Sequence, residues 1–374
     1  MGTSFRSVGS AIGSGRAILS YAHEIGRQTV STTSPNVQAI EPPADVPEIQ
    51  RGNWLQLPAG DPVVEYLTET LWDCPERPSS WETARLSKAA YIYRETSTEW
   101  GAVAKFYQVK TSSSADKHAA REFGHIRQAR ATGLEEEGIR VIEPLALWGG
   151  VLFLEYVRGL RLEDIIAVRQ SQPGRLTDSL ERAAEFLTRL HVRSVRADVE
   201  PDFESSVRYA HHVVEQLSKY GVLKEDPIAC DGVVRLIDHR ANKPGMAEFA
   251  PTLVHGDTTT TNFVFRGDGA VVVLDWERLD VSDPAFDLGR LMAEITHSIN
   301  QHGGSIAEAE PFVRVMTEAY RDALPPSWDS DALMERARFY RASSTLRIAR
   351  NGWVSRLDRT ALVAQAMALL AHDL

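Results

Sequence analysis

What most constrains this chain is the order of its patterns: strands come first and helices second. From Ser80 the stretches "ARLSKAAYIYRET" and "WGAVAKFYQV" carry the β-branched and aromatic content of two antiparallel strands, joined by the polar turn "TSTE". A helix is expected over Asp116 to Thr132, and then two further strands, "IRVIEPLALW" and "GVLFLEYV". Beyond Gly159 most of the chain reads as helix, in "LEDIIAVRQ", "LTDSLERAAEFLTRLHV", "FESSVRYAHHVVEQLSKY" and the long C-terminal stretches. That order predicts an α+β architecture in two lobes with a cleft between them. With 374 residues the chain is long enough for it, since single cores stop growing at roughly 250 to 300 residues.

Ahead of Ser80 the signals are weaker. Phe5, Val8, Ile12, Leu19 and Ala22 recur at helical spacing, residues 31–52 are polar and Pro-rich like a linker, and "DPVVEYLTETLW" reads as a short helix with an Asp-Pro start. Formal net charge is -10, which argues against a nucleic-acid surface, because phosphate backbones select basic patches. Cys74 and Cys230 are too few and too far apart for a disulfide scaffold or a zinc site, and read as thiols of a reducing compartment. No apolar run approaches the roughly 18 residues of a membrane span. A cytoplasmic location is expected. The Arg- and Ser-containing start, with no acid before Glu24, leaves an organellar transit peptide as the other option.

The chemistry concentrates in "VHGDTTTTNFVFRGDGAVVVLDWE", Val254 to Glu277. Two short apolar strands flank the turn signal "RGDG", so a hairpin is expected. Centred near Asp268 and Gly269, that hairpin sets Asn262 opposite Asp275 at its open end. An amide oxygen and a carboxylate side by side suit Mg²⁺, a hard cation that accepts a few protein oxygens plus substrate phosphates. Asp257, on the loop leading into the same end, would face whatever the metal holds.

"HGDTTTTN" followed by "VVLDWERLDVSDPAFDLGRL" resembles the aminoglycoside phosphotransferase and choline kinase superfamily, relatives of the protein kinases. The resemblance extends upstream: "ARLSKAAYIYR" looks like the family's nucleotide-positioning loop, "VAKFY" its lysine strand, "AAREFGHIRQA" its N-lobe helix, "VLFLEYVRG" its hinge and "LTRLHV" a core helix. It covers Ser80 to Leu291. The implied fold is protein-kinase-like, with an extension over residues 1–79, a small antiparallel-sheet N-lobe over 80–157 and a larger, mostly helical C-lobe over 158–374. The implied activity transfers the γ-phosphate of ATP or GTP to a hydroxyl of a small molecule: an aminoglycoside-like compound, a sugar, an amino alcohol or a related metabolite.

Roles follow from the resemblance. Asp257 would accept a hydrogen bond from the attacking hydroxyl and take its proton late. Asn262 and Asp275 would bind Mg²⁺, and Lys105, held by Glu122, would pair with the α- and β-phosphates. Ser87 would cover the phosphates, and Glu155, Tyr156 and Val157 would meet the base through backbone groups. His255 and Asp287 would brace the loop. Thr258 to Thr261 depart from the His-Pro-Gly-like run of many relatives, which touches substrate class rather than metal binding. The arginine-rich "RARFYRASSTLRIARNGWVSRLDR" reads either as a solvated helix face or as an anion pocket from Arg341, Arg347 or Arg350. The alternatives to a small-molecule kinase are a protein or peptide kinase and a nucleotide-binding pseudokinase. No Ala-Pro-Glu segment follows Asp275, against the first, and Lys105, Asp257, Asn262 and Asp275 are all present, against the second.

Overall fold

A computed structural model describes residues 54–98, 100–107, 112–135 and 138–372. The helix expected near Phe5 and the linker over 31–52 lie outside the described residues. The chain divides into two compact units, one comprising residues up to Ala119 together with Leu145–Leu154, the other Ala120–Pro144 together with Glu155–Leu374.

The first unit is built on a sheet in the order β1-β2-β3-β4-β7-β6, with β1 at Leu55–Gln56, β2 at Trp81–Arg85, β3 at Ala90–Glu95, β4 at Gly101–Phe106, β6 at Pro144–Trp148 and β7 at Val151–Glu155. The continuous strand expected over "ARLSKAAYIYRET" is therefore two, because Leu86–Ala89 turn back on themselves. The amides of Leu86 and Ser87 both donate to the Ala90 carbonyl. Residues ahead of Ser80 also build this unit. Asp61 caps the short helix α1, Pro62–Tyr66, by accepting from the amides of Val63 and Val64 at 3.0 Å, and Pro62 occupies the first helical position, where its missing N–H costs nothing. The helix runs on as a π-helical turn through Leu71 and buries Val63 and Leu67 against the sheet. Tyr66 stacks on Trp148 with centroids 4.6 Å apart. Trp72, Trp81 and Trp100 meet edge to face, the geometry their quadrupoles favour.

Helix α2, Ser112–Arg130, contains the division between the units. In the second unit β5, Ile139–Val141, runs parallel to β11, Val271–Val273, which pairs antiparallel with β10, Phe263–Phe265, and that in turn with β8, Leu160–Arg161. The expected strand "IRVIEPLALW" thus divides between two sheets at the Pro144 boundary. Thr252–Val254, β9, pairs with Asp280–Ser282, β12. Around these strands lie α3 (Leu162–Ala167), α4 (Pro173–Arg193), α5 (Phe203–Tyr220), α6 (Pro227–Ala241), α7 (Ala285–Gln301), α8 (Ile306–Asp322), α9 (Ser330–Ala349) and α10 (Arg356–Ala371). Phe186 of α4 packs against Phe263 and Trp276, so the helical core supports the hairpin from behind.

The axis of this unit is the α7–α9 pair. Gly289 makes it possible: a Cβ there would run into the Ala337 carbonyl oxygen and the Tyr340 side chain. Helix α9 carries the arginine-rich stretch, and its burial corrects the expectation of a solvated face. Arg336 and Arg341 are almost fully buried, each with an acidic partner, Asp283 at 2.8 Å and Glu310 respectively. Buried guanidinium groups are tolerated because carboxylates compensate them.

Candidate active site

The loop after β9 is fixed by one buried carboxylate. Asp287, in the first turn of α7, accepts the amide of His255 at 2.6 Å, the amide of Gly256 at 3.0 Å and the Nε2 of His191 at 3.2 Å. Burial alone would push its carboxyl up, but the hydrogen bond from His191 and the Gly256 amide outweigh that and hold it below the usual carboxylate range. Its backbone carbonyl accepts the Thr258 hydroxyl at 2.8 Å. Gly256 has φ +78°, and a Cβ there would collide with the Arg278 carbonyl, so this position requires glycine.

His255 is buried, and both its ring nitrogens are engaged. Nε2 lies 2.8 Å from the Leu274 carbonyl, which can only accept, so the proton sits there. Nδ1 then accepts the Asp257 amide at 3.1 Å. The imidazole joins the loop to the hairpin and has no nitrogen left for proton transfer. The threonines behave likewise: Thr259 and Thr261 pair their hydroxyls at 2.9 Å, and the Thr260 carbonyl accepts the Glu163 amide at 3.1 Å.

Asp257 emerges from this frame with its carboxylate partly exposed. Oδ1 pairs with Arg290 of α7, and Oδ2 lies 3.7 Å from Arg278 Nε. Arg290 is buried and belongs to a longer chain of charges, in which Glu294 pairs with Arg347 of α9. Burial pushes the Glu294 carboxyl up, while Arg347 and Arg290 pull it back, and the net is upward. Arg290 is shifted downward, first by burial and then by the like charge of Arg347, against the pull of Asp257 and Glu294.

Asn262 donates its Nδ2 to the Asp257 backbone carbonyl at 2.8 Å, which leaves Oδ1 to act as an acceptor. The hairpin register differs by one residue from the expectation. Phe263 faces Val273, so Asn262 faces Leu274, whose amide donates to the Asn262 carbonyl at 2.9 Å, and Asp275 lies one residue beyond. The reason is the turn: Gly267–Gly269 form a three-residue loop with Gly269 at φ +84°, where a two-residue loop was assumed. Among the described residues Asp275 is the non-glycine with left-handed backbone, at φ 60°. Such conformations cluster at functional sites. Its carboxylate lies with those of Glu122 and Glu277, one oxygen from each falling within 4.8 Å of the others. Three carboxylates at this spacing, all hard oxygen donors, fit a divalent cation such as Mg²⁺.

The remaining expected residues are placed as follows. Lys105 sits on β4 opposite Ala90, in the first unit, and Glu122 belongs to the second. The Ser87 hydroxyl accepts the amides of Ala89 and Ala90 at 3.3 and 3.1 Å, closing its own turn. The Glu155 amide is bound to the Glu143 carbonyl at 3.0 Å and its side chain pairs with Arg140 at 3.2 Å, while Arg158 stacks over Tyr156 at 5.8 Å and Val157 follows. Arg341 is engaged with Glu310 and Thr296, Arg347 with Glu294 and Arg350 with Gln216 at 2.8 Å, so each of these three already has a protein partner. Arg278, Arg290, Glu294 and Glu277 were missed. Glu277 and Arg278 stand directly in "DWER", and helical spacing from Asp287 puts Arg290 and Glu294 on its face.

Comparison with known proteins bears on this geometry. The fold resembles the streptomycin–ATP ternary complex of APH(2'')-IIa at TM-score 0.54 and 14% identity, covering 84% of this chain and 99% of that one. It resembles ADP-bound aminoglycoside phosphotransferase APH(2'')-Ib at 0.52 and 14%, covering 83% and 99%, and a Plasmodium vivax ethanolamine kinase at 0.50 and 13%, covering 82% and 87%. At these identities the likeness concerns fold alone, a two-lobed α+β kinase-like fold. Residues 91–330 match a family outright, and the chain belongs to the phosphotransferase enzyme family.

Proposed function

We propose that this phosphotransferase moves the γ-phosphate of ATP or GTP, with Mg²⁺, to a hydroxyl group of a small molecule, and that Asp257 is the residue facing that hydroxyl. The observation that carries the reading is the braced loop. Asp287, His255 and Thr258 fix the backbone on both sides of Asp257, and Asn262 is tied to the same residue's carbonyl. The partly exposed carboxylate is thus held beside the hairpin that carries Asp275.

In this reading the acceptor oxygen attacks the γ-phosphorus, the bond from phosphorus to the β,γ-bridging oxygen breaks, and ADP or GDP leaves. The hydroxyl proton passes late to Asp257, since a carboxylate is too weak a base to form an alkoxide first. Asn262 and Asp275, joined by Glu277, would hold Mg²⁺, which when bound neutralises charge on the β- and γ-phosphate oxygens. Lys105 with Glu122, the Ser87 turn and the backbone of Glu155 to Val157 would bind the nucleotide. Arg341 and Arg350 act structurally here, and Arg347 acts through Glu294.

The test is Mg²⁺-dependent ADP and GDP release across a panel of hydroxyl compounds. Asp257→Ala is expected to cost roughly 10² or more in rate, the scale of a positioned base. Asp275→Ala is expected to abolish Mg²⁺-dependent turnover with the fold intact. Near-normal rates in Asp257→Ala would remove it from the chemistry.

A further inference from the structure

Two ion pairs stand in series behind the Asp257 loop. Arg290 of α7 gives its Nη2 to Oδ1 of Asp257, and one helical turn further on Glu294 pairs with Arg347 of α9. Residues 290 and 294 are i and i+4 on one helix, the spacing that lays side chains on the same face with Cβ atoms about 5 to 6 Å apart. Among the described residues no hydrogen bond or ion pair joins Arg290 to Glu294, so the link between the two pairs is the field of their charges.

Along this line the signs alternate. Asp257 is negative, Arg290 positive, Glu294 negative and Arg347 positive, and at the far end Asp358 acts on His297. With Arg278 beside Oδ2 of Asp257, the guanidinium groups of Arg278, Arg290 and Arg347 answer the carboxylates of Asp257, Glu294 and Asp358, so the row is balanced rather than basic.

Burial gives the alternation its force. Side-chain exposure is 5% at Arg290, 14% at Glu294 and 15% at Arg347, so water screens these charges weakly. Arg290 and Arg347 repel each other, and neither can shed its proton. Glu294 offsets that repulsion. The Nε of Arg290 has no partner among the described residues, so the guanidinium is set by Asp257 on one side and by the balance of Glu294 against Arg347 on the other. A change in that balance moves Arg290, which then either drags the Asp257 carboxylate with it or lets it go.

Resting on the reading of Asp257 as the residue that faces the acceptor hydroxyl, we infer that Glu294 and Arg347 are positioning residues for phosphoryl transfer. They keep Arg290 seated on Oδ1 of Asp257 and leave Oδ2 to the acceptor, and they act through Arg290 rather than on the substrate. Removing both members of the pair then does less harm than removing either one, because a neutral neighbour leaves Arg290 with Asp257 alone. A buried pair that serves stability shows this pattern in the melt. A pair that positions Asp257 shows it in kcat, and only while Asp257 is present.

The experiment follows ADP release from MgATP and GDP release from MgGTP, with water, a hexose, an amino alcohol and an aminoglycoside as acceptors. Wild type, Glu294→Gln, Arg347→Met and the double variant are compared, each with and without Asp257→Ala and each with a thermal melt. Both single variants are expected to lower kcat about tenfold or more while the nucleotide KM stays in place, and the double variant is expected to recover most of that loss. Glu294→Asp, which keeps the charge, is expected to retain part of the rate that Glu294→Gln loses. In the Asp257→Ala background these differences are expected to vanish. Unchanged kcat in Glu294→Gln overturns the inference, as do single losses that add up in the double variant or persist without Asp257. If Glu294→Gln does not fold, Arg347→Met and the double variant carry the comparison, with the same order expected. Turnover that is absent with every acceptor, or as fast in Asp257→Ala as in wild type, removes instead the reading of Asp257 on which the inference rests.

Discussion

At the scale of single residues, the arrangement around Asp257 differs from a carboxylate simply facing solvent. Its Oδ1 is taken by Arg290, so Oδ2 is the atom free to turn toward an acceptor, with Arg278 at 3.7 Å. Arg290 is itself buried and feels the charges of both Asp257 and Glu294, and a guanidinium on a helix face is a stiffer anchor than water. Arg290→Met is expected to lower kcat on the order of 10- to 100-fold, the scale on which misplacement of a reacting group is felt, and to leave the nucleotide KM in place. Arg290→Lys, which keeps the charge but loses the fork, is expected to recover part of that loss. Equal kcat in Arg290→Met and wild type would show that the loop brace alone orients Asp257. The reason sequence reasoning found Asp257 and missed Arg290 is physical. A loop aspartate is marked by its neighbours in the chain, whereas an arginine inside an amphipathic helix looks like any solvated charge until the helix is seen to turn that face inward.

At the scale of elements, the β3–β4 turn shows how one buried carboxylate can organise a connection. Glu95 accepts the amides of Ser79, Ser97 and Thr98 at 3.0, 2.8 and 2.7 Å, and hydroxyls from the same three residues. Burial would raise its carboxyl, but the Thr98 amide and these hydroxyls drive it far below the ordinary value of 4.5. A carboxyl lowered on folding stabilises the protein fully above its unfolded value, and the contribution fades as pH falls below that toward the folded value. Glu95→Gln is therefore expected to cost about 2 kcal/mol at neutral pH, the worth of hydrogen bonds to a charged acceptor. The gap to wild type should narrow as pH drops below 4.5, and denaturant midpoints at several pH values check both parts. Equal midpoints at pH 7 would mean that the hydroxyls find water instead. Elements of this kind were partly legible. The composition of β3 and β4 announced strands and "RGDG" announced a hairpin, but the one-residue register shift depended on loop length, which one ambiguous turn does not fix. The burial of α9 was invisible for a different reason. Its compensating acids, Asp283, Glu294 and Glu310, come from other segments of the chain.

At the scale of the whole molecule, the two compact units place different demands on the sequence, and the segment ahead of Ser80 is where this can be tested. The Trp54 ring receives the Arg94 guanidinium at 3.6 Å, and β1 follows, pairing Leu55 with Thr83. Beyond it, Val63 and Leu67 are almost wholly buried in the first unit's core, with Tyr66, Leu71 and Trp72 packed against that core. Fully burying such aliphatic side chains is worth about 1.5 to 3 kcal/mol each, and a domain's whole margin is about 5 to 15 kcal/mol. Removing residues 1–53 is expected to leave the thermal midpoint and nucleotide binding unchanged, because the core side chains named above all remain. Removing residues 1–79 strips β1 and α1 and uncovers Trp81, Tyr93 and Phe153, and the first unit is expected to lose cooperative unfolding along with nucleotide binding. Differential scanning calorimetry of the two truncations, read beside nucleotide binding, separates the cases. If the longer truncation unfolds like the full chain, α1 is a surface attachment rather than part of the core. If the shorter one already loses nucleotide binding while folded, the first fifty residues belong to the site.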